Sequence, residues 1–100
     1  MLINNKKLNE FDNNMSLILD YSLEFENYSD DMGEEPKELI EIYSSIEKLR
    51  QEKDTLDYKT KIKRSKEIIN KFQKLIEDVG KEKFEFNNDG SFFYIWNNKK

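Results

Sequence analysis

Between Lys37 and Val79 the chain runs for 43 residues without a glycine or a proline. Few features constrain its fold more. Those two residue types are the strongest local breakers of helix and strand, and here they are confined to Gly33, Pro36, Gly80 and Gly90. The chain therefore has three marked punctuation sites, near 33–36, at 80 and at 90. A single helix over the uninterrupted stretch would be about 65 Å long at ~1.5 Å per residue. Its apolar phase speaks against that. The stripe Leu39, Ile42 or Tyr43, Ile46 and Leu49 is rotated by roughly 100° from the later stripe Ile62, Ile69, Phe72, Ile76 and Val79, so a straight rod could not offer both to one partner. A break is expected near Asp54-Thr55-Leu56-Asp57, where Asp54 or Asp57 would cap the next helix. A stuttered long helix, which would call for dimerisation, is the competing arrangement.

Upstream, Leu8, Phe11, Met15, Ile18, Leu19 and Phe25 recur at helical spacing. This predicts a first helix over about 6–28, interrupted by Ser29-Asp30-Asp31-Met32-Gly33. Acids and a proline at Glu34-Glu35-Pro36 mark the start of a second helix over about 35–53. A third is expected over about 57–79, with Gly80 in the position of a left-handed cap. Beyond it, residues 83–87 and 91–96 are strand-prone and flank the turn-forming Asn87-Asn88-Asp89-Gly90, which predicts an antiparallel β-hairpin. Two registers remain open. A two-residue Asp89-Gly90 loop pairs Phe86 with Phe93 and Phe84 with Ile95, whereas a three-residue Asn88-Asp89-Gly90 loop groups Phe84 and Phe86 with Phe92, Tyr94 and Trp96. Because a lone hairpin is marginal in water, it should pack on the helices. The expected fold is α+β, with residues 1–100 forming one compact domain.

Charge is divided along the chain. Residues 1–47 carry three lysines against twelve acids, a net of −9, while residues 48–100 carry fourteen bases against nine acids, a net of +5. There is no histidine and no cysteine, so the side chains that most often serve as nucleophile, soft metal ligand or neutral-pH proton carrier are missing. With each glycine already assigned to a turn or cap, nothing is left to build a phosphate cradle. The expectation is a protein that presents surfaces rather than one that catalyses, with no cofactor. Asp30, Asp31, Glu34 and Glu35 lack the alternating ligands and central glycine of an EF-hand loop, so no metal site is expected. No segment has the ~20 apolar residues of a membrane span, and the first residues lack an apolar signal core. A cytoplasmic setting is the simplest expectation.

Three constellations are candidates for function. Glu24, Glu26, Asp30, Asp31, Glu34 and Glu35, continued by Glu38 and Glu41, form an acidic stretch suited to docking on a basic groove, with aromatic anchors such as Tyr21, Tyr28 and Tyr43 at its edge. The plainer reading is a solvated face plus favourable acids at a helix N-terminus. Lys59, Lys61, Lys63, Arg64 and Lys66 form a basic collar that could contact nucleic-acid phosphates, or pair with the acidic half of the chain. The aromatic strand from Phe92 to Trp96 should fill the core and leave some rings on the solvent side, with Tyr94 and Trp96 as candidate contacts.

In size and charge the chain resembles small acidic inhibitors carried by mobile elements, including phage proteins that block host defence nucleases (anti-CRISPR-like), and bacterial immunity proteins and antitoxins. The likeness rests on size and charge alone. It implies a non-catalytic inhibitor that docks an acidic helical surface on the basic nucleic-acid-binding site of another protein, acting as a monomer or a homodimer. A small nucleic-acid-binding regulatory module using residues 59–66 is the alternative.

Overall fold

The structure, a computed structural model, describes residues 9–96. Helix α1 spans Glu10–Met32, so the expected start near residue 6 is corrected to Glu10, and Leu8 lies outside the described residues. Asn9 sets this start by accepting the Asp12 N–H on its side-chain Oδ1 at 2.8 Å. At the other end, Ser29-Asp30-Asp31-Met32 does not interrupt the helix but forms its last turn. The chain leaves at Gly33, whose φ of 79° and N–H bond to the Ser29 carbonyl make a left-handed cap. The polar composition of this run predicts a break. Termination instead needs the positive φ that glycine alone adopts without strain, while Tyr28 and Asp31 turn inward and hold the final turn.

Helix α2 spans Lys37–Glu52, directly after Pro36. Helix α3 spans Tyr58–Val79, and Asp57 accepts the Thr60 N–H at 3.0 Å as its cap. The break therefore lies at residues 53–57, as the phase of the two apolar stripes requires, and there is no continuous rod. Gly80 ends α3 with φ 117° and ψ 109°, an extended positive-φ conformation rather than the left-handed helical cap expected. A single 3₁₀ turn, Lys81–Lys83, leads into strands β1 (Phe84–Phe86) and β2 (Phe92–Tyr94).

The helices run up, down and up. Contacts advance together along α1 and α3: the Asn14 amide donates to Ser65 Oγ, Tyr21 and Phe25 meet Phe72, and the Tyr58 hydroxyl accepts the Glu10 N–H. Leu39, Ile42, Ile46 and Leu49 line the buried face of α2, as expected, with Tyr43 partly buried beside them. The buried stripe of α1 differs from the expected one. It is Phe11, Ile18, Tyr21, Phe25 and Tyr28, while Leu19 is 58% exposed. Two of the tyrosines assigned to the surface, Tyr21 and Tyr28, thus belong to the core, where their rings bury large apolar area and the Tyr21 hydroxyl reaches the Gly90 carbonyl.

The hairpin adopts the three-residue loop. Phe84 faces Tyr94, Glu85 faces Phe93 and Phe86 faces Phe92. Asn87 accepts the Gly90 N–H, Asn87 N–H donates to the Ser91 carbonyl, and Gly90 takes φ 94°, a turn closed by a positive-φ residue that keeps the strands twisting together. Asp89 fastens the loop by accepting from the N–H and hydroxyl of Ser91. This register turns Phe84, Phe92 and Tyr94 onto the helices and leaves Phe93 outside. Phe92 stacks on Tyr21 at 4.5 Å between ring centres, and Phe84 lies 5.4 Å from Phe25. Hairpin and helices thereby share one aromatic core. The regular strands are shorter than the expected 83–87 and 91–96.

Candidate protein-binding surface

The acidic residues singled out in the sequence separate into two groups. Glu24 and Asp31 are structural. Glu24, half-buried on α1, accepts the Tyr94 N–H at 2.7 Å, and buried Asp31 accepts the Tyr94 hydroxyl at 2.5 Å. The carboxylate of Glu24 satisfies a backbone donor on the outer edge of β2, where no further strand pairs among the described residues, and Asp31 receives a charge-assisted bond that a buried acid requires. Tyr28 and Tyr94 are buried with them, their rings meeting edge-on at 5.6 Å. Tyr21 completes the latch by donating to the Gly90 carbonyl at 2.7 Å. These side chains hold the hairpin on α1 and are not displayed to a partner.

Glu26, Asp30, Glu34 and Glu35 are exposed. With Glu38 and Glu41, also exposed, they occupy the corner where α1 ends and α2 begins. Their field is felt by neighbouring hydroxyls. Burial pushes the Tyr43 hydroxyl up to about 12, and Glu26 and Glu35, one from each side of the corner, add to the shift. Burial likewise raises the Tyr28 hydroxyl, with Glu34 contributing. Among the described residues the ion pairs lie elsewhere, at Arg64–Glu52, Lys66–Glu10 and Lys83–Glu82. The last turn of α1 holds acids and no base, which sets negative charge against the negative end of the helix dipole. Exposed Trp96 packs its ring edge-on to Tyr94, the residue that holds Asp31, with 5.6 Å between ring centres. Among the described residues no group of three or more acidic side chains is placed to hold a metal ion.

The basic collar does not form one free surface. Arg64 is bonded to Glu52 at 2.8 Å, holding that carboxyl below its usual range, and Lys66 pairs with Glu10 at 3.0 Å. Lys61 sits over the Phe11 ring, 4.9 Å from its centre. Lys59 and Lys63 remain exposed. Three of the five cations are thus engaged within the chain.

Sequence reading missed a second apolar stripe. Leu19 and Leu23 on α1 are 58% and 54% exposed, and Leu19 lines the seam between α1 and α2 that the Tyr43 hydroxyl bridges by donating to the Ser22 carbonyl at 3.5 Å. The signal was present. Leu19 and Leu23 are one turn apart and out of phase with Tyr21, Phe25 and Tyr28, so the two sets cannot share a face.

None of the described helices is long and apolar enough to cross a membrane. No protein-family model matches the chain, and neither a curated protein nor a solved structure shows significant similarity to it.

Proposed function

We propose that this chain is a non-catalytic, cytoplasmic inhibitor that docks its acidic α1–α2 corner on a basic, nucleic-acid-binding site of a target protein. The carrying observation is the unbalanced charge at that corner. Exposed acids from two helices converge there, apart from the ion pairs found elsewhere, with Asp30 against the dipole of α1 and Glu34, Glu35 and Glu38 at the start of α2, where acids are favourable. At Asp30 the arrangement lowers the stability of its own helix end, a common mark of a surface kept for binding. In mechanism the carboxylates take the place of phosphates. They speed encounter with a basic groove and set orientation, and exposed Trp96 supplies an anchor.

Phage or mobile-element anti-defence inhibitors (anti-CRISPR-like) work in this manner, and an immunity protein or antitoxin would use the same surface against a toxin. Which of these applies depends on the identity of the target. The nucleic-acid-binding alternative has less support, since the collar's cations are largely engaged within the chain.

The test is capture of the target from native cytoplasm at low and high salt, with and without nuclease, followed by affinity measurement. Substituting Asp30→Lys and Glu34→Lys should weaken binding at least about tenfold, or ~1.4 kcal/mol, with helicity unchanged by circular dichroism. Asp31 must be left intact because it holds Tyr94. Equal affinity of the variant and the parent would remove the acidic-corner mechanism, and capture of nucleic acid alone would move Lys59 and Lys63 to the centre.

A further inference from the structure

Helix α1 carries two apolar faces, and the monomer covers one. Its buried face, Phe11, Ile18, Tyr21, Phe25 and Tyr28, meets α3 and the hairpin. Along the side facing α2 runs a second stripe, Asp12, Met15, Leu19, Leu23 and Glu26, spaced by three or four residues, as one side of a helix requires. At one end of this stripe a cavity of about 180 Å³ between α1 and α2 is lined by Met15, Leu19 and Ile46 and rimmed by Asp12, Arg50 and Lys53. At the other end stand Glu26 and Glu35, close enough to Tyr43 to raise its hydroxyl further. The seam is thus apolar in the middle, positive in balance at one end and negative at the other.

We infer that this α1–α2 seam is an interface for a second copy of the same chain, which would engage Glu35 and leave Asp30, Glu34, Glu38 and Glu41 of the acidic corner for the target. Opposite charge at the two ends of one apolar strip makes the strip complementary to itself. A two-fold axis lying in the face and across the helices would set α1 antiparallel to its counterpart. Leu19 would meet its own copy, Leu23 would meet the second copy's Met15, Glu26 would come opposite the second copy's Asp12 at the rim, and Glu35, on the α2 side, would face the second copy's Arg50 and Lys53, which outweigh Asp12 at that end. The interface is isologous, so it closes at two subunits and does not propagate. Apolar contacts at its centre with charged residues at its rim are the usual layout of such interfaces. A two-fold axis parallel to the helices would instead set Glu26 and Glu35 against their own copies, and repulsion disfavours it.

Sedimentation of the full chain at tens of micromolar should give twice the 12.1 kDa chain mass. The exposed Leu19→Lys, Leu23→Lys double variant should sediment as a monomer with its helicity intact. A charge-swap pair tests the geometry independently. Glu35→Lys, and separately Arg50→Glu with Lys53→Glu, should each weaken self-association at least tenfold, and mixing the two variants should restore a heterodimer. A wild-type chain still monomeric at hundreds of micromolar would overturn the inference, as would a dimer that survives the leucine substitutions and is lost on Phe93→Lys on the outer face of the hairpin. Failure of the mixed variants to associate would overturn the antiparallel arrangement.

Discussion

Tyr94 shows how much one side chain decides in this molecule. Its ring is buried against Phe84 and Tyr28, its hydroxyl reaches Asp31 and its backbone N–H reaches Glu24. Tyr94→Phe keeps the ring and removes one bond to a buried carboxylate. Chemical denaturation should register a loss of about 2 kcal/mol, the usual range for hydrogen bonds to charged groups. The same tyrosine predicts the alkaline limit of stability. Burial, followed by the bond to Asp31, pushes its hydroxyl from 10.0 up to about 12, and burial does the same for Tyr43. Since the folded state holds these protons more tightly than the unfolded chain, their contribution is complete below pH 10 and is lost as pH rises towards 12. Denaturant midpoints measured across that window should fall, and the fall should be shallower in Tyr94→Phe. None of this was legible from residue types. Tyr28, Tyr94, Glu24 and Asp31 all look like surface residues in a sequence because amphipathic and acidic side chains usually are, and only the docking of β2 on α1 turns them inward.

At the level of elements, the punctuation was readable and the register was not. The residues that begin and end α2 and α3 carry their signals locally: Pro36 before α2, the Asp57 cap, Gly80 after α3 and the apolar phase shift between the two helices. The C-terminal turn of α1 was misread because serine and aspartate are weak helix formers, a preference of a few tenths of a kcal/mol that inward packing of Tyr28 and Asp31 readily overrides. The hairpin register depended on the loop length, and Asn87-Asn88-Asp89-Gly90 is compatible with two. What selects one is that Phe84, Phe92 and Tyr94 must together meet Tyr21, Phe25 and Tyr28. A prediction specific to α1 follows from its acidic end. Asp30→Lys exchanges an unfavourable charge for a favourable one and should stabilise the fold by about 0.3–1 kcal/mol. If the proposed corner is a binding surface, the same substitution weakens target binding, so calorimetry and affinity should move in opposite directions.

Across the whole molecule, the contrast between an acidic first half and a basic second half becomes a contrast between regions. Because α3 lies along α1 and beside α2, Lys66 finds Glu10 and Arg64 finds Glu52, and the surplus acid is left at the far corner. That outcome required knowing which helices are neighbours, so composition alone could show the imbalance but not its location. Exposed pairs of this kind contribute little, whereas the corner and the net charge of −4 are self-repelling. Added salt screens both, and repulsion should dominate. The thermal midpoint is therefore expected to rise modestly from low to high salt, and a fall would show that the ion pairs carry more of the stability than their exposure suggests. The latch between α1 and the hairpin sets the order in which the molecule can be completed. Its three hydrogen bonds join residues 63 to 70 positions apart in the chain, contacts that form only after a long loop has closed. During synthesis α1 emerges before the hairpin, and the rings that cover Tyr21, Phe25 and Tyr28 are made about 60 to 70 residues later. Until Phe92 and Tyr94 arrive, the growing chain carries an open aromatic flank, and it is the hairpin that closes it.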